Sequence, residues 1–306
     1  MTSSRPKVSI GLPVYNAEKY LEGALESILK QTFTDFELII SDNASTDNTG
    51  TICRTYKEKD SRIHYYQNKI NLGMAPNFNK VFQLAKGEYF KWAAYDDLLE
   101  PEFLMECVKV LDNNADVVIC YPRAKIIDED GVFMVDYDPG PDTSFSQPQV
   151  RFRNLILHPE YAIQQMGLIR SVVLQQSVLH GSYSSSDEIL LAELGLLGRY
   201  YEIPDRLFIY RRSNQQLAYR LDERSRVPFF DTALRGKIVL QNWLYFLSCI
   251  KIIHRHRLSW NVRLDCYITM VRWLLVPAHF KALGKDILLA VGQYLRRSKN
   301  LVFRQA

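Results

Sequence analysis

The sequence predicts an α/β protein, with a mainly parallel sheet flanked by helices on both faces. Three observations carry that expectation. Buried apolar runs alternate with helical patterns through the first half of the chain. Polar clusters stand at three successive predicted strand ends. The composition, 47% hydrophobic and 24% charged over 306 residues, suits one large packed domain with an appendage and argues against disorder.

Residues 7–14 (K-V-S-I-G-L-P-V) form a short apolar run ended by Pro13. Residues 17–31 carry helical periodicity, with Tyr20, Leu21, Ala24, Leu25, Ile28 and Leu29 on one face. Residues 36–41 (F-E-L-I-I-S) read as a second buried strand, ending in the turn-and-cap cluster Asp42–Asp47. A helix to about residue 59 and a strand at 62–67 come next, then a loop at Asn71-Leu72-Gly73 and a helix at 75–85. A fourth strand at 88–94 ends at Asp96-Asp97, and Pro101 opens another helix. Beyond it, 117–121 and 124–127 read as two strands, 136–186 as a loop and cover, 187–198 as an apolar helix and 203–210 as a strand. From about 229 onward the pattern is helical and basic.

In parallel α/β sheets, ligands bind beyond the carboxyl ends of the strands. The polar clusters 13–18, 42–47 and 96–97 all fall there, which points to a binding site. The five cysteines, Cys53, Cys107, Cys120, Cys249 and Cys266, are widely spaced and odd in number, so neither a zinc site nor a disulfide framework is expected. They read as reduced, buried thiols of a cytoplasmic protein. The N-terminus leads straight into a strand pattern with no signal-peptide features, and no apolar run reaches the roughly 18 residues of a spanning helix.

Charge is unevenly spread. From residue 233 onward thirteen Lys and Arg face only Asp265 and Asp286, a surplus of eleven; with a total of +4, the first 232 residues carry −7. A basic helical tail with Trp243, Trp260 and Trp273 suits an anionic membrane surface, a packed helical pair or a second subunit; an acidic body argues against nucleic acid.

Four segments, in order, carry a resemblance: V-S-I-G-L-P-V-Y-N-A-E-K-Y-L, F-E-L-I-I-S-D-N-A-S-T-D-N-T, N-L-G-M-A-P-N-F-N and G-E-Y-F-K-W-A-A-Y-D-D. Together they resemble the family 2 glycosyltransferases over residues 6–215. The resemblance implies an inverting enzyme of GT-A fold. Its donor would be a nucleoside-diphosphate sugar, most readily UDP-linked. Its acceptor would be a glycan or lipid-linked glycan, in surface polysaccharide synthesis. By position, Pro13, Tyr15 and Glu18 would line the base and ribose. Asp42 would take the base edge with Ser45 nearby, and Asn71, Gly73 and Asn77 would flank the nucleotide and sugar. An ionised carboxylate accepts hydrogen bonds, and an aromatic ring stacks on a base.

The family's Asp-x-Asp stretch is Ala94-Tyr95-Asp96 here, so Asp96 would be the one direct ligand of Mg²⁺ or Mn²⁺. The family's histidine after the last core strand is replaced in Tyr210-Arg211-Arg212-Ser213. Arg211 or Arg212 would then help neutralise the diphosphate. Asp187, just before an apolar helix, would be the general base, with Glu188 second. His158, Tyr161 and His180 are further candidates to contact the acceptor. The expected organisation is a GT-A domain over 1–228, divided into a nucleotide-sugar half at 6–120 and an acceptor half at 121–228, with a basic helical region at 229–306. The expected place is cytoplasmic, at the inner face of the membrane, and a homodimer stays open. A catalytically weak nucleotide-sugar binder and a sugar nucleotidyltransferase are the competing readings. The latter lacks its usual Gly-rich loop, since Pro13-Val14-Tyr15-Asn16 closes the first strand instead.

Overall fold

The apolar runs become strands of one nine-stranded sheet in the computed structural model, which describes residues 5–137, 142–158, 163–212 and 223–302. The chain runs β1 (Val8–Val14), α1 (Leu21–Leu29), β2 (Phe36–Asp42), α2 (Thr49–Lys59), β3 (Ile63–Gln67), α3 (Met74–Leu84), β4 (Tyr89–Trp92), β5 (Leu98–Leu99) and α4 (Phe103–Asn113). It continues through β6 (Val117–Ile127), β7 (Phe133–Tyr137), α5 (Pro148–Leu157), a 3-10 turn (Ile163–Met166), β8 (Leu168–Arg170), α6 (Ser171–Leu174), α7 (Ser186–Leu197) and β9 (Arg199–Arg211). Helices α8 (Glu223–Phe230), α9 (Gln241–Arg255), α10 (Trp260–Leu275) and α11 (Pro277–Val302) complete it.

The sheet order is β3-β2-β1-β4-β8-β6-β9-β5, with β7 beside β6. The long ladders β1–β2, β2–β3, β1–β4 and β6–β9 are parallel, while β5, β7 and β8 pair antiparallel over short stretches. The expected α/β sheet is therefore present, and β8 is the splice between its two halves. Side chains alternate across it. Leu38 and Ile40 join the core beneath α1 and α4, whereas Ile39, Phe90 and Trp92 join the core beneath α3, α5 and α7.

Pro13 sits within a central strand without leaving a ladder bond unmade. Its neighbour two residues back, Gly11, sends its carbonyl to Ala93 on the β4 side, and β4 pairs with β1 only as far as Gly11–Trp92. The missing N–H of Pro13 thus faces the side β4 has already left. The helix expected over 17–31 is shorter, Leu21–Leu29, because Ala17 and Glu18 give their N–H groups to Thr49 Oγ1 and Asp47 instead.

The segment 136–186 is not a loop and cover throughout. Phe152, Leu155 and Ile156 of α5 are buried in the core, and β8 completes the sheet. The strands expected at 117–121 and 124–127 are one strand, whose register shifts against β9 around Pro122 and Arg123. All five cysteines are buried and free. The basic tail packs onto the domain: Tyr245, Cys249, Ile252, Met270 and Trp273 share one core with Leu155, Leu190 and Leu194. No helix among the described residues is long and apolar enough to cross a membrane.

Candidate active site

At the carboxyl ends of β1 and β2 two loops are joined by cross-hydrogen bonds. Asn16 N–H donates to Ser45 Oγ at 3.0 Å, Thr46 N–H to Asn16 Oδ1 at 2.9 Å, and Asn48 N–H to Glu18 Oε2 at 3.0 Å. Asn16 (φ 49°) and Ala44 (φ 62°) hold left-handed conformations at these turns, which an Asn tolerates and an Ala adopts at a cost. Tyr15 stands out from this frame, 44% exposed, with its ring face open for stacking. Glu18 and Ser45 carry the expected positions but spend hydrogen bonds on the frame itself.

Asp42 and Asn77 spend their side chains on hydrogen bonds within the frame. Asp42 is fully buried; Ser45 N–H reaches its Oδ1 at 2.9 Å, while Tyr65 Oη at 2.8 Å and Gln67 Nε2 at 3.2 Å reach its Oδ2. It anchors the loop from behind and presents no open oxygen. Asn77 is buried too, accepting from Ser41 Oγ at 2.7 Å and Asn68 Nδ2 at 3.1 Å, and donating to the Ser41 carbonyl at 2.9 Å. Asn71 accepts from Asn43 Nδ2 and from Gly73 N–H. These asparagines weld β2, the 68–73 loop and α3 together. Gly73 is required: its φ is 93°, and a Cβ there would lie 2.6 Å from the Asp231 backbone.

Beside this frame lies a cleft of about 870 Å³, bordered by Asp96, Asp97, Gln165, His180, Asp187 and Glu188. Asp187 lies in the first turn of α7, whose N-cap is Ser185, so it is not the cap of that helix. Gln165 Nε2 stands 3.5 Å from its Oδ2. Burial raises the carboxyl pKa of both Asp187 and Glu188, the latter also accepting from Tyr245 Oη at 3.1 Å. Burial likewise raises Asp96, and raises Asp97 well above its ordinary range, with the charge of Asp96 adding to it. Lys91, fully buried under Asp97, is pushed down to about 7 by burial and donates to the Met166 carbonyl.

Arg211 reaches the same corner. Its backbone N–H holds Asp97 Oδ1 at 3.0 Å, its Nε the Asp96 carbonyl at 3.0 Å, and its Nη1 the carbonyls of Asp128 and Glu129. Its guanidinium thus fastens the Asp96–Asp97 turn. Arg212 is exposed, its N–H bonded to the Ile127 carbonyl. His158, exposed at the end of α5, does not border the cleft. Ser213 and Tyr161 lie outside the described residues.

Four acids line one cleft, and a diphosphate entering it needs a counter-charge. Among the described residues no cluster of three His, Cys, Asp or Glu side chains is poised to hold a metal. Asp96 fits the sparser kind of site, in which Mg²⁺ or Mn²⁺ takes one carboxylate and completes its shell from diphosphate and water.

Residues 9–175, more than half of the chain, match the profile of Glycosyl transferase family 2. The chain belongs to the family 2 glycosyltransferases. An uncharacterized glycosyltransferase of Methanocaldococcus jannaschii is 34% identical over 137 residues, 44% of this chain and 47% of that protein. The putative glycosyltransferase EpsE of Bacillus subtilis is 37% identical over 131 residues, 42% of this chain and 47% of that protein. The matched part thus spans about half the length of these curated relatives. Among solved structures, S. aureus TarS residues 1–349 in complex with UDP-GlcNAc aligns with a TM-score of 0.65 at 19% identity, covering 92% of this chain and 80% of that one. The mannosyltransferase PcManGT of Pyrobaculum calidifontis, in complex with GDP-Man and Mn²⁺, gives 0.56 at 15% identity, covering 99% and 82%. The fold is therefore that of the GT-A glycosyltransferases.

The family signature lies in the first half of the chain, and the cleft also draws on the second half. Gln165 was not singled out by any motif, nor was Lys91. Phe230 of α8 borders the cleft as well, and Thr232 just beyond binds Leu72 and Asn71. No sequence pattern announced that closure.

Proposed function

We propose that this protein is an inverting glycosyltransferase that moves a sugar from a nucleoside-diphosphate sugar, UDP-linked in the first instance, to a hydroxyl of a glycan or lipid-linked glycan in surface polysaccharide synthesis. The observation that carries the reading is one cleft bordered by both Asp187 and Asp96. The acceptor oxygen attacks the anomeric carbon, the bond from that carbon to the diphosphate breaks, and the acceptor proton passes to Asp187. Burial tunes Asp187 upward, toward the strength a base needs near neutral pH. Asp96 would hold a divalent cation, whose charge would offset that of the departing diphosphate. Arg211 keeps the Asp96 turn in place, and Tyr15 offers its ring to the base. Gly73 and Asn71 shape the floor beneath the nucleotide.

The tail supports a membrane-bound acceptor. Trp260, Leu264, Ile268, Val271 and Leu275 of α10 are all exposed, at helical spacing, and Phe280, Ile287 and Val291 of α11 continue the exposed apolar surface. They lie in the region with a surplus of eleven positive charges, a combination suited to anionic lipid at the inner face of the membrane. Like charge opposes pairing of two such tails, which disfavours the homodimer through this face.

Incubation with UDP-, GDP- and dTDP-sugars, with and without Mn²⁺ or Mg²⁺, tests the reading. Cation-dependent release of one nucleoside diphosphate is expected, lost in Asp96→Ala. Neither binding nor release across the panel would sink it.

A further inference from the structure

We propose that His180 reads a hydroxyl group of the sugar held in the cleft and so helps choose the donor. The assignment rests on the nucleotide-sugar reading of the cleft and deepens it.

His180 is 4% exposed, yet both its ring nitrogens lack a hydrogen-bond partner among the described residues. Buried polar groups left unpaired destabilise a fold, and a group kept in that state calls for a reason. Its ring borders the cleft that contains Asp96 and Asp187. Gln165 Oε1, on the border of the same cleft, is likewise unpartnered, while its Nε2 faces Asp187. Two unpaired polar groups on one cleft, one of them next to the proposed base, match a polyhydroxylated ligand better than an apolar core.

The ring is held in place. Phe78 meets it edge-on with centroids 5.2 Å apart, and Trp92 does so at 4.8 Å. Asn79 clamps its backbone from both sides, donating to the His180 carbonyl at 2.9 Å and accepting its N–H at 3.0 Å. The preceding Leu179 is left-handed (φ 55°), as is Ser185 (φ 59°) at the start of α7. A left-handed leucine is strained, and strain of this kind gathers where a side chain must be aimed.

Burial pushes the imidazole pKa down to about 4, so the ring is neutral at neutral pH. A neutral imidazole offers one donor and one acceptor, the complement of a sugar hydroxyl. The nitrogens are shielded from bulk water.

The test compares His180→Phe and His180→Gln with the wild-type protein on the nucleotide sugar it prefers and on the epimers of that sugar. The phenylalanine keeps the edge-on packing and removes the polar atoms. Expected are a roughly 10- to 100-fold lower kcat/KM and a narrower preference between epimers. Affinity for the nucleoside diphosphate alone should be unchanged, and the melting temperature unchanged or higher. The glutamine should recover part of the preference. A folded His180→Phe protein with wild-type kcat/KM and preference overturns the assignment. So does a fall in melting temperature with loss of nucleotide binding, which would mark His180 as structural support. If the wild-type protein turns over no donor at all, the nucleotide-sugar reading itself fails and takes this assignment with it.

Discussion

Asp187 is governed by its surroundings more than by its motif. Burial raises its pKa, and in the proposed role of base it must be ionised to accept a proton. Activity should therefore fall as pH drops through the folded-state pKa, with its acid limb above the ordinary carboxylate value of about 4; a pH profile of kcat/KM checks this. The linkage of His180 to stability runs in a defined direction. Its folded pKa of about 4 lies below the ordinary histidine value, so the fold carries no protonation penalty at this ring above pH ~6.5 and loses stability as pH falls toward 4. The loss is on the order of 3 kcal/mol over that window. Denaturant unfolding at pH 7 and pH 5 should show a steeper drop for the wild-type protein than for His180→Phe. At this scale the sequence revealed residue types and positions: Asp96 and Asp187 border one cleft, and Tyr15 lies in the loop that follows β1. It did not reveal direction. Asp42 and Asn77 have the right chemistry, but their side chains turn inward to Tyr65, Gln67 and Ser41, which no spacing along one strand or helix discloses.

Helix α9 grips the helix that carries Asp187. Tyr245 Oη donates to Glu188, and Gln241 Oε1 accepts the Ser184 N–H at 2.8 Å just before α7. At the far end Glu193, fully buried, meets His256 Nε2 at 2.8 Å and accepts the Val178 N–H at 2.6 Å. Glu193→Ala should cost about 3–5 kcal/mol, because it strands buried partners, and calorimetry or denaturant unfolding checks it. Tyr245→Phe should leave stability nearly unchanged and lower kcat severalfold, with nucleotide affinity intact. Gly73→Ala should destabilise by about 2 kcal/mol or more, since strain and a backbone clash combine at φ 93°. The tail's helices were legible from periodicity, but their partner was not: apolar spacing gives a face and says nothing about what meets it. Strand β8, three residues long, carries too few positions for any period to register. The two strands expected at 117–121 and 124–127 are one, whose register against β9 shifts at Pro122/Arg123 and Arg123/Ala124.

The whole molecule joins an acidic catalytic body to a basic tail whose inner face is core and whose outer face is bare. Leu275 is 75% exposed and Phe280 71%, far more than side chains of this size ordinarily show in a packed domain. On the proposed membrane reading, the protein should float with vesicles containing anionic lipid and stay behind with neutral ones. Ile268→Asp with Leu275→Glu should abolish flotation while donor hydrolysis in solution persists. Parallel topology and the strand-end location of the site were open to view in the sequence, because both arise from alternation of period and polarity. The cleft's far wall was not, since it is assembled from segments distant in sequence, the 3-10 turn, the 179–187 segment and α8. In the proposed mechanism one cleft performs displacement with Asp187 as base. The most direct measurement is nucleoside diphosphate release from the preferred donor by the wild-type protein and by Asp187→Asn, with nucleotide affinity measured alongside. Unchanged affinity and a rate lower by roughly 10²–10⁴-fold are expected in the variant. Release at the wild-type rate by a folded Asp187→Asn protein would contradict it.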